Sequence, residues 1–190
     1  MTTLVVYASK YGATQGIAER IADKLVSSGH PAQARPVKAA GDLLSYDAYV
    51  VGSAAYMGSW LKEAAEFVRS NQALLVTRPV WLFSSGPLGT ATRDAKGRDL
   101  LVTSEPKEFT EFAEAVKPRA TRVFFGALNP SKLGLAHRAA RRLPAARPLL
   151  PEGDFRNWTA IDAWAESIAS QLAPVLVPTS DYAGAPFDPR

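Results

Sequence analysis

The 190 residues contain no cysteine. Disulfides, thiolate metal sites and cysteine nucleophiles are therefore excluded, and the reading that fits is a cytoplasmic protein. Histidine is nearly as scarce. His30 follows a helical pattern and His137 lies in a basic segment, both as expected of surface positions. No histidine cluster or carboxylate pair suggests a metal. No apolar run approaches the ~18–20 residues of a membrane span. The N-terminus lacks a basic stretch followed by a cleavable apolar one, so no secretion signal is expected. There is no internal repeat and no low-complexity block.

What is present is ordinary in bulk and uneven in detail. Hydrophobic residues make up 47% and charged residues 21%, enough for one domain with a substantial core. The formal net charge is +4. The excess is local, because Arg119, Arg122, Lys132, Arg138, Arg141, Arg142 and Arg147 occur with no Asp or Glu among them.

Five apolar runs read as strands: residues 3–8, 32–37, 48–53, 80–84 and 122–128. The first is continuous rather than alternating, as in a strand covered on both faces. Ile17, Ile21 and Leu25 recur every four residues and predict a helix over about 14–28, ended by Gly29. Ser59 is expected to cap a second helix through Leu61, Ala64, Ala65 and Val68. Residues 90–105 look like an irregular excursion, in which Asp94 and Lys96 are candidates for a substrate entrance. Pro106 opens a helix carrying Phe109, Phe112 and Val116. A last helix over 157–172 aligns Ile161, Trp164, Ile168 and Leu172. Residues 173–190 carry Pro174, Pro178, Pro186 and Pro189 without helical period and read as a tail.

Strands alternating with helices imply a parallel sheet with helices on both faces, which binds ligands beyond the carboxyl ends of its strands. Three loops leave such ends. Ser9, Lys10, Tyr11, Gly12, Ala13 and Thr14 sit between a strand and a helix start, where backbone N–H groups and the helix dipole favour an anion. The loop is neither a G-x-x-x-x-G-K-[ST] nor a G-x-G-x-x-G motif. The second loop is Ser53, Ala54, Ala55, Tyr56, Met57 and Gly58: small residues for close approach, and an aromatic face in Tyr56. The third is Ser85, Gly86, Pro87, Leu88 and Gly89, whose N–H groups suit the polar edge of a heterocycle.

The first loop resembles the flavodoxin phosphate loop, [TS]-x-x-G-x-T, and the other two follow at the spacing of that family. The resemblance implies an α/β flavodoxin-like three-layer sandwich over residues 1–172, with a five-stranded parallel sheet of order 2-1-3-4-5. It implies FMN as cofactor. The phosphate would lie on Ser9, Thr14 and the N–H groups of residues 10–13. Loop 53–58 would flank one side of the isoalloxazine near N5, and loop 85–89 the other side and the N1/O2 edge. Ala55-Tyr56-Met57-Gly58, Glu66-Phe67-Val68, Phe125-Gly126-Ala127-Leu128, the Trp158…Trp164 helix and the basic insert at about 129–156 resemble the menaquinone-dependent protoporphyrinogen oxidase branch. That implies a small-molecule electron donor and a quinone acceptor.

Residues 131–143 predict an amphipathic helix, with Lys132, Arg138, Arg141 and Arg142 off its apolar face. Such a surface suits a carboxylate-bearing substrate or peripheral contact with an anionic membrane. No aromatic platform interleaves the arginines, so nucleic acid is not expected. A homodimer remains open. A flavodoxin-type electron carrier is the alternative, although carriers of that type are usually acidic. A receiver domain needs an aspartate at the end of the third strand, where this chain has Gly52-Ser53-Ala54.

Overall fold

The computed structural model of the chain describes residues 1–132 and 151–172. In chain order the first half comprises β1 (Thr3–Ala8), α1 (Ala13–Ser27), β2 (Ala32–Pro36), β3 (Ala48–Tyr56), β4 (Ser59–Trp60), α2 (Lys62–Ser70) and α3 (Gln72–Leu75). The second comprises β5 (Val80–Ser85), α4 (Leu100–Thr103), α5 (Glu108–Ala115), β6 (Ala120–Phe124), β7 (Ala127–Leu128), β8 (Gly153–Asp154) and α6 (Trp158–Leu172).

The long strands form a parallel sheet in the order β2-β1-β3-β5-β6. This is the expected 2-1-3-4-5 order of a flavodoxin-like α/β sandwich; the numerals differ because two-residue β4 lies between the third and fourth long strands. Pro36 falls on the edge strand β2, where a missing N–H costs least.

Alternate residues of β1 feed two cores. Leu4 and Val6 join Tyr49, Val51, Leu82, Val68, Phe109 and Phe112 on one face. Val5 and Tyr7 join Ile17, Ile21, Leu25, Phe83, Ile161 and Trp164 on the other. Both faces are buried, which is why the strand runs read as continuous apolar blocks. Helices α1 and α6 lie side by side on the second face, joined by Arg20–Asp162 at 2.6 Å and Lys24–Glu166 at 2.8 Å.

Several local expectations need correction. The third strand does not stop at Ser53 but runs to Tyr56, turns at Met57-Gly58 and returns as antiparallel β4. Met57 (φ 51°) and Gly58 (φ 73°) are both left-handed, as a two-residue type I′ hairpin turn requires. Ser59 is therefore a strand residue, and Leu61 occupies the cap position of α2 without a side-chain cap. The fifth strand ends at Phe124; residues 127–128 form a separate strand that pairs with β8. The excursion is not irregular throughout. Arg93 and Asp99 bridge, Asp99 caps α4 through the Leu101 N–H at 2.8 Å, and Asp94 accepts from the Lys96 and Arg98 N–H groups. The Asp94 carboxylate is thus engaged inside its own turn. Pro130–Lys132 form a 3-10 turn; the rest of the helix expected over 131–143, with His137, Arg138, Arg141 and Arg142, lies outside the described residues, as does the tail.

Among the described residues, no helix is long and apolar enough to cross a membrane.

Candidate cofactor site

The carboxyl ends of β1, β3, β5 and β6 open onto one cleft. Gly12 lets the chain turn from β1 into α1 at φ 91°, a conformation that a side chain would strain. The Ser9 hydroxyl accepts a hydrogen bond from the Gly12 N–H at 3.0 Å, which holds the loop closed. That N–H is consequently engaged within the loop, while the Ser9 hydroxyl proton can still donate outward.

Helix α1 then begins without a side-chain cap and without an acidic residue in its first turn. Its leading N–H groups lack intrahelical acceptors by construction. Thr14 is fully buried, and its Oγ1 has no hydrogen-bond partner among the described residues. A buried hydroxyl left unsatisfied costs about 1–3 kcal/mol. Together these features make an anion cradle: donors, a helix N-terminus and no carboxylate in the first helical turn.

A cavity of about 130 Å³ adjoins the cradle and is lined by Ser9, Lys10, Tyr11, Ala13 and Thr14. Ala54, Ala55 and Tyr56 line it from β3, and Ser85, Gly86 and Leu88 from β5 and its loop. A fourth segment, Gly126, Ala127 and Leu128, completes the wall. A second cavity of about 380 Å³ shares Tyr11, Ala13, Ala127 and Leu128 and adds Gly12, Asn129 and residues 152–154 with Arg156. Together they reach the size of small-molecule sites.

The remaining expected residues lie elsewhere. Ser53 is fully buried under the hairpin, and its Oγ accepts from the Leu61 N–H at 3.1 Å and donates to the Ala54 carbonyl. Met57 and Gly58 form the hairpin tip, with Met57 completely exposed. Pro87 and Gly89 do not line the smaller cavity. The Gly86 N–H is used by the Phe124 carbonyl at 3.1 Å, and the Gly126 N–H by the Pro87 carbonyl at 2.8 Å. The third loop is therefore tied to the end of β6. A Cβ on Gly126 would come within 3.3 Å of Leu88 and 3.4 Å of the Ser85 hydroxyl, so a side chain there would need these two to shift slightly.

Charge at the site is arranged by a few contacts. The Lys10 ammonium lies 5.6 Å from the ring centroids of both Tyr11 and Tyr56, linking the first loop to the hairpin by cation–π attraction. Burial, and secondarily Tyr11, push the Tyr56 phenol up to about 12, so it remains a neutral O–H group at ordinary pH. The Arg156 hydrogen bonds hold the Asp154 carboxyl below its ordinary value.

The sequence matches the flavodoxin domain family over residues 4–145. The chain belongs to that family. Among solved structures, this flavodoxin domain is similar to oxidised flavodoxin 2 from Bacillus cereus, with TM-score 0.55 and 19% identity over 90% of this chain and 99% of that one. Oxidised flavodoxin 1 from the same organism gives TM-score 0.56 and 11% identity over 91% and 100%. Rubredoxin oxygen:oxidoreductase from Desulfovibrio gigas gives TM-score 0.56 and 14% identity over 90% of this chain; the chain spans 36% of that protein's length. At these identities the likeness is one of fold. No curated protein matches the sequence.

FMN is the cofactor that the family implies, and the residues present fit it. The uncapped α1 and the partnerless Thr14 hydroxyl suit a phosphate. The small residues at 54, 55, 86 and 126 leave a narrow slot beside the Tyr56 ring. Ser9, Thr14 and the first turn of α1 would hold the phosphate, and the segments ending β3, β5 and β6 would enclose the ring system. When bound, FMN supplies the electron-transfer chemistry, while the protein supplies orientation, donors and exclusion of water.

Gly126–Leu128 and Arg156 were not among the expected site residues. The Gly126 signal was present as a glycine interrupting an apolar run. Arg156 had no local signal, since its contact at Ala13 spans 143 positions.

Proposed function

We propose that this flavodoxin domain is an FMN-dependent oxidoreductase that takes electrons from a reduced small molecule and delivers them to a quinone, as in menaquinone-dependent protoporphyrinogen oxidase. One observation carries the reading. Strands β7 and β8 pair Leu128 with Gly153 beside the phosphate cradle, so the basic segment between them starts and ends at the cleft. Lys132, Arg138, Arg141, Arg142 and Arg147 belong to that segment, and its only acidic residue is Glu152 at the return. A substrate bearing carboxylates, such as a porphyrinogen, suits a segment of this composition tethered at both ends to the cleft. The same residues suit anionic lipid, where a quinone is met.

The test is anaerobic. The purified protein should show the yellow spectrum of bound FMN, bleach on addition of protoporphyrinogen, and recover its colour with a soluble menaquinone analogue. A protein that neither contains nor takes up FMN removes the reading entirely. Bound FMN that never responds to porphyrinogen or quinone favours the alternative, an electron carrier without a substrate of its own. The exposed Tyr56-Met57 tip next to the cleft supports that alternative, because it offers an apolar contact for a protein partner.

A further inference from the structure

Gly16 lies inside α1, a position where glycine is the least favourable residue after proline. The space it leaves is taken. A Cβ at Gly16 would meet the Arg156 guanidinium at 2.5 Å. Arg156 arrives from the segment between β8 and α6 and is held on every side. Its Nε and Nη2 donate to the two Asp154 carboxylate oxygens at 2.8 and 2.6 Å, and its Cζ lies 4.3 Å from the Trp158 ring centroid. Its Nη1 donates to the Ala13 carbonyl at 3.3 Å. The side chain is only 16% exposed. Ala13 is the first residue of α1, and the next residue is Thr14, buried and without a partner for its hydroxyl.

We propose that Arg156 is a positioning residue for the phosphate cradle. It fixes the first turn of α1 through Ala13, so that Thr14 and the leading N–H groups are held ready for the phosphate. Gly16 is the seat that admits the guanidinium. Arg156 also lines the larger cavity, but its Nε, Nη1 and Nη2 donate to Asp154 and Ala13, so its action on the cradle runs through the helix. The same brace joins the end of the basic insert, through β8, to the cofactor site. The inference rests on FMN as the ligand of this cleft.

FMN and riboflavin differ by the phosphate, so their affinities separate a cradle effect from a general one. Dissociation constants are measured by flavin fluorescence for the wild-type apoprotein, Arg156→Met and Gly16→Ala, with the thermal midpoint of each apoprotein. Arg156→Met keeps much of the apolar stem. Gly16→Ala keeps the arginine but fills its seat, and alanine favours the helix. Both variants should bind FMN about tenfold more weakly, with riboflavin affinity within twofold of wild type; Gly16→Ala should do so without a lower apoprotein midpoint. Unchanged FMN affinity in either folded variant, or an equal loss for FMN and riboflavin, overturns the proposal and leaves the FMN site standing. A wild-type chain that binds no FMN removes both. If Arg156→Met does not fold, Gly16→Ala decides alone.

Discussion

The ring of Phe83 occupies the space that a side chain on Gly52 would need. A Cβ built on Gly52 overlaps that ring. Phe83 is fully buried on β5 and packs against Phe124 at 6.2 Å and Trp164 at 6.1 Å between centroids. The aromatic group thus closes the core directly beneath the strand ends that form the cleft. Gly52→Ala should destabilise the fold by about 1–3 kcal/mol, the usual range for overpacking a filled interior. A urea transition should show a lower midpoint with an unchanged slope. Phe83→Leu in the same background should recover part of the loss, giving a coupling energy between the two sites.

Thr14 and Ser9 face the same cradle but do different work in the free protein. The Thr14 hydroxyl has no partner among the described residues, whereas the Ser9 hydroxyl holds the Gly12 N–H. Thr14→Val should therefore leave the apoprotein as stable or raise its stability by about 1 kcal/mol, since an unsatisfied buried group is removed. Ser9→Ala should lower apoprotein stability by a similar amount, since a loop hydrogen bond is lost. Both should weaken FMN. Opposite signs in apoprotein stability with the same sign in FMN affinity would separate the two roles; thermal melts and fluorescence titrations supply the readings.

Much of this arrangement was legible in the residues. Continuous apolar runs mark strands covered on both faces, and the four-residue spacing of Ile17, Ile21 and Leu25 marks the helix that packs on them. What escaped depended on contacts between distant segments or on rare backbone conformations. Met57 in a left-handed turn extends β3 into a hairpin, and little in Met-Gly announces a type I′ turn. The break at Gly126 looked like an interruption of one strand, because its partner at β8 lies beyond the basic insert. Arg156 was invisible for the same reason, although a glycine in the first turn of α1, at 16, was a hint that something large approaches.

Arg20 and Asp162 form a two-point fork between α1 and α6, with both N–O distances at 2.6 Å. The Arg20 hydrogen bonds, followed by its charge, hold the Asp162 carboxyl below its ordinary value of 3.8. A carboxylate lowered in the folded state stabilises the fold above its unfolded value, and that contribution is lost as pH falls through the folded value. Asp162→Asn should lower the thermal midpoint at pH 7, and the gap from wild type should narrow below pH 3.8. The pair is partly exposed, so 1 M salt should also narrow the gap. Melts from pH 7 downward in low and high salt test both statements.

Tyr56 gives the opposite pH dependence. Although Tyr56 is 42% exposed, desolvation of its phenol against the cleft, and secondarily Tyr11, raises it from 10.0 to about 12 in the folded chain. The folded state therefore keeps a proton that the unfolded chain releases, so the resulting stability is complete below pH 10 and lost as pH rises toward 12. Tyr7 and Tyr49 are also raised by burial, so the Tyr56 step is isolated by difference. Ultraviolet titration of the native apoprotein minus that of Tyr56→Phe should leave one ionisation centred near 12. A difference step near 10 would show that the phenol is open to water in the free cleft. If the cleft takes up FMN beside that ring, added cofactor should shield Tyr56 further and delay its ionisation, which the same difference titration on the loaded protein reads directly.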